Sequence, residues 1–152
     1  MKKYEFTGET KRVELWNRTA TLHRIKATVE FGFVKVGELG GWIEKEENLS
    51  HEGKAWVCDD AKVWGNAKVC GDAEVFLASH VLVMGSVGSR NDFTTFFRDK
   101  DNEITVKCGC FLGKIDKFLE KVTQTHGNNK YALVYRAAVE VAKLQIELTE
   151  RK

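Results

Sequence analysis

A polar loop near the middle of the chain contains residue types that bind phosphate and stack on rings. The segment from Gly88 to Thr95 reads Gly-Ser-Arg-Asn-Asp-Phe-Thr-Thr. A glycine-containing loop offers backbone N–H groups to an anion, Arg90 offers a bidentate fork, and Phe93 offers a stacking face. The candidate ligand-binding residues are therefore Arg90, Asn91, Phe93 and Thr95. The alternative is a polar turn, with Phe93 in the core and Arg90 in solvent.

A second polar connector separates two segments with helical periodicity. Apolar residues recur at helical spacing over 115–122 and again over 131–148. The connector Thr125-His126-Gly127-Asn128-Asn129 has a glycine suited to one helix end and an asparagine suited to the next helix start. If both helices pack on the preceding β-hairpin, this connector approaches the 88–95 loop. The residues expected to join the site are then Arg98, Lys107, His126, Asn128 and Arg136.

Motifs for catalysis or metal binding are weak. The chain has no phosphate-binding GxxxxGK[ST] string and no GxGxxG string. Cys108 and Cys110 are separated by one residue, whereas paired zinc ligands usually have two between them, so we expect reduced thiols and no metal. His80 is the histidine expected on an outward coil position, where an acyltransferase would need a base. We predict a protein that is not an enzyme and has no cofactor.

Composition and charge exclude several partner classes. The 152 residues have a formal net charge of +2, too small for a concentrated duplex-binding face. No apolar run approaches the ~18 residues of a membrane span, and the N-terminus is too polar for a signal peptide. We therefore expect a cytoplasmic protein that binds neither duplex nucleic acid nor a membrane.

A six-residue repeat runs from about Lys54 to Val81. Its form is x-Ala-x-Val-x-Gly/Asp, with Ser79-x-Val81 as a weakened last copy and Ile43 and Leu49 upstream in the Ala position. Strand periodicity points Ala and Val inward, and glycine or aspartate suits the corners. Three hexads close one coil of about 18 residues, so like residues stack inside. The repeat predicts a β-helix.

The predicted fold class is α+β, mostly β. Residues 1–42 form an N-terminal β-strand cap, residues 43–87 a short left-handed β-helix of two to three coils, and residues 88–152 a β-hairpin and two helices. A solenoid this short needs covered ends, and outward Trp56, Trp64 and Phe76 form an apolar stripe that also needs a cover. We expect either a homo-oligomer or docking of the C-terminal segment to supply it.

Several strings resemble hexapeptide-repeat, polymer-forming-like proteins of phages and prophages. The strings in the first half are Leu22-His23-Arg24-Ile25, Gly37-Glu38-Leu39-Gly40-Gly41-Trp42-Ile43-Glu44, Asn48-Leu49-Ser50 and the Ala-x-Val hexads. Those in the tail are Gly88-Ser89-Arg90-Asn91-Asp92, Cys108-Gly109-Cys110-Phe111-Leu112-Gly113 and Thr125-His126-Gly127-Asn128-Asn129-Lys130-Tyr131-Ala132. The resemblance implies a phage or mobile-element origin and no particular activity.

The tail is also similar in layout to phage anti-Thoeris sponge proteins, which bind cyclic nucleotide-type immune signals at a subunit interface. That resemblance implies ligand-binding roles for Phe118 and Asn128. It departs from the pattern at Gln145 and Thr149, where arginines are expected. The implied function is non-catalytic sequestration of a small phosphorylated (cyclic) nucleotide immune signal, which inhibits anti-phage defence in the host cytosol. The alternatives are a structural self-assembly β-helix protein and a hexapeptide acyltransferase relative.

Overall fold

The first sheet is built mainly from N-terminal strands. The computed structural model describes residues 2–88, 92–146 and 148. Strands β1 (Tyr4–Glu14), β2 (Thr19–Ala27) and β3 (Leu39–Ile43) pair antiparallel in that order. Ala20, Leu22, Ile25 and Ala27 along β2 are buried. The sheet therefore presents apolar side chains to the repeat segment that follows.

Parallel pairing in the repeat segment, residues 43–80, follows the hexads. We call this segment the coil. The short strands are β4 (Trp56–Val57), β5 (Lys62–Val63) and β6 (Glu74–Val75). Val57 pairs with Val75, 18 residues further on. The inward positions are all buried: Ala55, Val57, Ala61, Val63, Ala67, Val69, Ala73 and Val75. Lys62 and Glu74 are half-buried and Lys68 is exposed. The left-handed β-helix itself stays a prediction.

The upstream part of the coil has a different repeat length. Ile43 pairs with Val63 and Leu49 bridges to Val69, so both offsets are 20 residues. The expectation that Ile43 and Leu49 occupy the Ala position is therefore wrong, because both align with the Val position. A 3-10 turn over Glu46–Asn48 lies at this corner, and it accommodates the two extra residues.

The side chain of Asn48 holds that corner. Its Oδ1 accepts hydrogen bonds from Glu44 N at 3.2 Å and Lys45 N at 3.0 Å. Its Nδ2 donates to Gly65 O at 3.1 Å and Ala67 O at 2.9 Å. The residue has no solvent exposure. One amide thus satisfies four backbone groups on two successive passes of the chain.

Other parts of the chain cover the expected apolar stripe, completely at Trp56 and partly at Phe76 and at Trp64, which packs against Leu22 and Trp42. Trp56 is completely buried, contrary to the prediction, beneath the rings of Tyr4 and Phe31. Gly40 makes this possible, because a Cβ there would lie 2.6 Å from the Trp56 ring. Phe76 lies 4.9 Å below the Arg98 guanidinium. The stripe no longer motivates self-association, and the homo-oligomer stays a prediction.

The C-terminal sheet is larger than the predicted hairpin. Strands β7 (Val81–Val87), β8 (Asp92–Arg98), β9 (Ile104–Cys108) and β10 (Phe111–Lys114) form an antiparallel sheet in consecutive order. Val81 pairs with Phe97, so it belongs to this sheet and not to a last hexad. The predicted hairpin therefore gains two further strands, because the chain reverses again at Gly109, whose φ is 58°. Glycine is the residue that tolerates such a turn.

The sheet lies between the coil and the helices. Phe97 belongs to the core of the coil, whereas neighbouring Phe96 belongs to the core under helices α1 (Ile115–His126) and α2 (Lys130–Gln145). Asn129 caps α2 by accepting from Tyr131 N and Ala132 N. All four cysteines are unpaired. Among the described helices, none is long and apolar enough to cross a membrane.

Arg98 and Asp99 fasten this sheet to the coil. Arg98, 4% exposed, donates from Nη1 to Glu74 O at 2.9 Å. Asp99, 1% exposed, accepts from Thr105 Oγ1 at 2.7 Å and from Lys114 Nζ at 3.2 Å. Charged groups this deeply buried need such partners. Arg98 is therefore structural and does not join a ligand site.

Replacing Asn48 with alanine tests the coil corner. The change leaves four buried backbone groups without their partner, so we expect a loss of about 3 kcal/mol in the free energy of unfolding. Urea titration measures it, with Asn66→Ala at the next, exposed corner as the matched control. Equal losses in the two variants would show that the Asn48 amide does not hold the corner.

Lys3 gives the fold a distinctive pH dependence. Its Nζ donates to Ala55 O at 2.7 Å, and burial lowers its pKa to about 8. Between pH 8 and about 10.5 the Lys3 amine is neutral in the folded chain but still protonated in the unfolded chain. The unfolded state therefore binds more protons, and Lys3 makes the free energy of unfolding rise with pH over this range. Urea titrations should show the wild type gaining about 1–3 kcal/mol over Lys3→Met across this window. Burial raises the pKa of the Cys58 thiol to about 12, which lowers stability as the pH rises. Cys58 is present in both the wild type and Lys3→Met, so the difference between the two proteins does not include its effect. A constant difference would contradict the assignment.

Candidate ligand-binding site

Two cavities flank one end of the β7–β10 sheet. Asp92 at the start of β8 and Gly109 in the β9–β10 turn line both of them. The helix-side cavity, between the sheet end and the helices, has a volume of about 300 Å³. The coil-side cleft, between the sheet and the coil, has a volume of about 270 Å³. Some of the candidate residues from the sequence line one or the other of these cavities.

Four rings, those of Phe111, Phe118, His126 and Tyr135, line the helix-side cavity. Phe118 lies 5.5 Å from Phe111 and 5.6 Å from Tyr135 between ring centroids. His126 stacks on Tyr135 at 5.9 Å with an angle of 25° between the planes. Lys121 and Thr125 from α1 line the same cavity. An apolar cavity with a few polar groups is the usual form of a small-molecule site.

Of the histidines, His126 is the one that lines this cavity with uncommitted ring nitrogens. No residue in the described ranges hydrogen-bonds to either nitrogen. By contrast, His51 Nδ1 accepts from Lys3 N at 3.0 Å. His80 is fully buried, and its Nδ1 accepts from Phe76 N and Leu77 N. The expected outward position of His80 is therefore wrong, since the ring caps a turn.

Asn128 and Arg136 stabilise the connector between the helices. Arg136 Nη1 donates to Asn128 Oδ1 at 3.1 Å, and its Nη2 donates to Gly127 O at 2.9 Å and Thr123 Oγ1 at 3.2 Å. Neither Asn128 nor Arg136 lines the helix-side cavity. The structure therefore brings Phe118 and His126 together and leaves Asn128 and Arg136 outside.

Phe93 and Thr95 line the coil-side cleft. Phe93 is 37% exposed and Thr95 is 2% exposed. Lys107, from the paired strand, lines the cleft with them. Arg90 and Asn91 lie outside the described residues. The sequence-based site thus separates into an aromatic part on the helix side and a basic part on the coil side.

Several lining residues were missed by the sequence analysis. Tyr135 and Phe111 belong to apolar patterns that indicate a core, and Lys121 reads as an ordinary exposed helix residue. Lys45 and Lys68 reach the coil-side cleft from two different passes of the coil. Lys45 and Lys68 come together because residues 43–49 pair with residues 20 positions further on. The sequence analysis assumed a uniform 18-residue offset and therefore did not predict this.

Gly88 connects the β7–β8 loop to the helix-side cavity. Its φ is 80°, and an added Cβ would overlap the hydroxyl of Tyr135. The backbone therefore comes this close to Tyr135 only because residue 88 has no side chain. The Gly88 backbone, just after β7, therefore lies against Tyr135, which lines the cavity.

The described residues form mixed sheets, two helices and a repeat segment in which short strands pair in parallel at an 18-residue offset. No known family profile matches the chain. The chain is similar to the uncharacterized acetyltransferase YdcK of Escherichia coli (strain K12), at 30% identity over 80 residues. The match covers 49% of this chain and 24% of that protein. The chain thus spans about a quarter of the relative's length, and the similarity supports a hexapeptide-repeat fold.

Substituting Gly88 tests the close approach of its backbone to Tyr135. In Gly88→Ala the new side chain is strained at a positive φ and also overlaps the Tyr135 hydroxyl. We therefore expect a loss of about 2–3 kcal/mol in the free energy of unfolding. Gly109→Ala is the matched control, because its φ is also positive but the space around it is open; it should lose about 1 kcal/mol. Urea titration measures both, and Tyr135→Phe should restore part of the Gly88→Ala loss. Equal losses at the two glycines would rule out the contact.

Proposed function

We propose that this protein binds one small phosphorylated ligand with a planar ring, of the nucleotide class, and that the ring occupies the helix-side cavity. The observation that carries the proposal is the set of rings from Phe111, Phe118, His126 and Tyr135 around about 300 Å³. Rings of this kind stack on a nucleobase whatever its hydrogen-bonding pattern. The volume is at the lower end of the range for small-molecule sites.

The rim of the cavity supplies groups for the polar part of such a ligand. Lys121 makes no ion pair with any carboxylate in the described part of the chain, and it lies one helical turn from Thr125. Both sit beside His126, which offers either a donor or an acceptor. Asp92 approaches from the opposite wall and can accept from an exocyclic amine. The ligand would therefore be oriented with its anionic group towards α1.

Binding without turnover is the favoured mode. A general base normally has a partner that fixes its ring and tautomer. His126 contacts Tyr131 and Tyr135 through ring faces, and no described carboxylate hydrogen-bonds to it. The resemblance to phage sponge proteins supplies the proposed role. In that role the protein sequesters a cyclic nucleotide immune signal in the host cytosol and releases it unchanged only when it unfolds.

Acetyl transfer is the second candidate. The similarity to a protein named as an acetyltransferase favours it. His51 lines another cavity, but its Nδ1 accepts from Lys3 N and its Nε2 lies 3.3 Å from Glu46 Oε1. His80 is buried, with its Nδ1 accepting from Phe76 N. His126 therefore lines a cavity with ring nitrogens that no described residue hydrogen-bonds, and it is the histidine that would act as base. This reading predicts consumption of acetyl-coenzyme A and a dependence of that rate on His126.

A thermal-shift panel of cyclic nucleotides and ADP-ribose derivatives tests the proposal. One class should raise the melting temperature, because ligand binding only to the folded state stabilises it. Removing the Lys121 charge should weaken binding about tenfold in Lys121→Ala. Lys117→Ala is the matched control, since Lys117 is on the same helix but pairs with Glu120 at 3.5 Å. Its affinity should not change.

Recovery of the ligand separates binding from turnover. Heat release followed by chromatography should return the bound compound intact and in a one-to-one ratio with the chain. Release of coenzyme A from acetyl-coenzyme A, lost in His126→Ala, would instead establish the second candidate. A panel without any shift, or an equal loss in Lys117→Ala and Lys121→Ala, would contradict the binding proposal.

A further inference from the structure

Three lysines without carboxylate partners surround the coil-side cleft. Lys45 and Lys107 are half-buried and Lys68 is exposed. None of the three pairs with a carboxylate in the described ranges, although Lys107 Nζ donates to Gly109 O at 2.6 Å. Ion pairs are common among the other lysines: Lys2, Lys26, Lys35, Lys100, Lys114, Lys117 and Lys143 all have one. The cleft therefore contains three ammonium groups that form no ion pair with a described carboxylate.

A buried hydroxyl group adds a hydrogen-bond donor. Thr95 is 2% exposed, and its Oγ1 accepts from Lys68 N at 3.0 Å. That bond uses the oxygen as an acceptor, and among the described residues the Thr95 hydroxyl donates no hydrogen bond of its own. Thr95 lines the cleft. A buried donor of this kind is costly unless something accepts from it.

The acidic groups near the cleft do not cancel this charge. Glu44 is held by Arg18 at 2.6 Å and accepts from Gly65 N, and the Arg18 hydrogen bond lowers its pKa to about 2. Asp92 accepts from Phe93 N with one oxygen. Glu47 and Asp92 line the cleft. The lining thus has three ammonium groups against two carboxylates.

We propose that the coil-side cleft is a binding site for a phosphate or diphosphate group. Its ligands are the ammonium groups of Lys45, Lys68 and Lys107 and the hydroxyl of Thr95. Charged donors from two coil passes and one sheet strand converge there, and short contacts of this type are the strong ones for phosphate oxygens. Phe93, at the rim, covers the carbon part of a phosphorylated metabolite. None of these four ligands lines the helix-side cavity, although Asp92 and Gly109 line both places.

Calorimetric titration with inorganic phosphate and pyrophosphate at low salt tests this site. Lys68→Gln and Lys107→Gln should each weaken pyrophosphate binding about tenfold, and Glu47→Gln should strengthen it severalfold. Lys62→Gln is the matched control, because Lys62 is on the coil but does not line the cleft. Thr95→Val should weaken binding, and Thr95→Ser should restore it.

The outcomes separate this site from the helix-side cavity. The binding step that Lys68→Gln weakens should be the same in Lys121→Ala as in the wild type, because Lys121 does not line the coil-side cleft. Loss of the nucleotide proposal would therefore not affect this one. An equal loss in Lys62→Gln and Lys68→Gln would reduce the effect to general charge and overturn the site. Absence of binding by both anions in the wild-type protein would overturn it as well.

Discussion

The buried amide of Asn48 is the interaction on which the coil and its cleft depend. It bonds Lys45, Gly65 and Ala67, and all three line the coil-side cleft. Four hydrogen bonds to one side chain fix two chain passes relative to each other in a corner that is two residues longer than the regular repeat. Because the corner is fixed, Lys45 stays beside the pass that carries Lys68.

The C-terminal sheet contacts the coil on one face and lines the helix-side cavity on the other. Thr95 bonds the backbone of Lys68, and Arg98 reaches Glu74 on the coil, so β8 is fastened at two points. The other face of the same sheet carries Phe96 into the core beneath the helices. The end of the sheet, at Asp92 and Gly109, therefore lies between two cavities of similar size and different chemistry. One is aromatic and the other is basic.

Sequence periodicity predicted the parts of the fold that depend on local pattern. The inward Ala and Val residues and the 18-residue pairing of Val57 with Val75 follow from a strict hexad. The position of Ile43 and the burial of Trp56 did not follow, because a two-residue insertion and a covering sheet are long-range features. In the site, Phe118 and His126, two of the predicted ligand-binding residues, line the same cavity, and their role in binding stays a prediction. Lys45 and Tyr135 were not predicted, since their roles arise only from packing between distant segments.

Amide chemical-shift mapping of the intact protein tests the central claim, that ligands bind at the end of the β7–β10 sheet. A nucleotide that stabilises the protein should shift the resonances of Asp92 and Gly109, which line both cavities, and of Thr125 and His126 on the helix side. Pyrophosphate should shift Asp92, Gly109 and Lys68 but not Thr125. Shifts confined to the β1–β2 hairpin, or none with either ligand, would contradict the account.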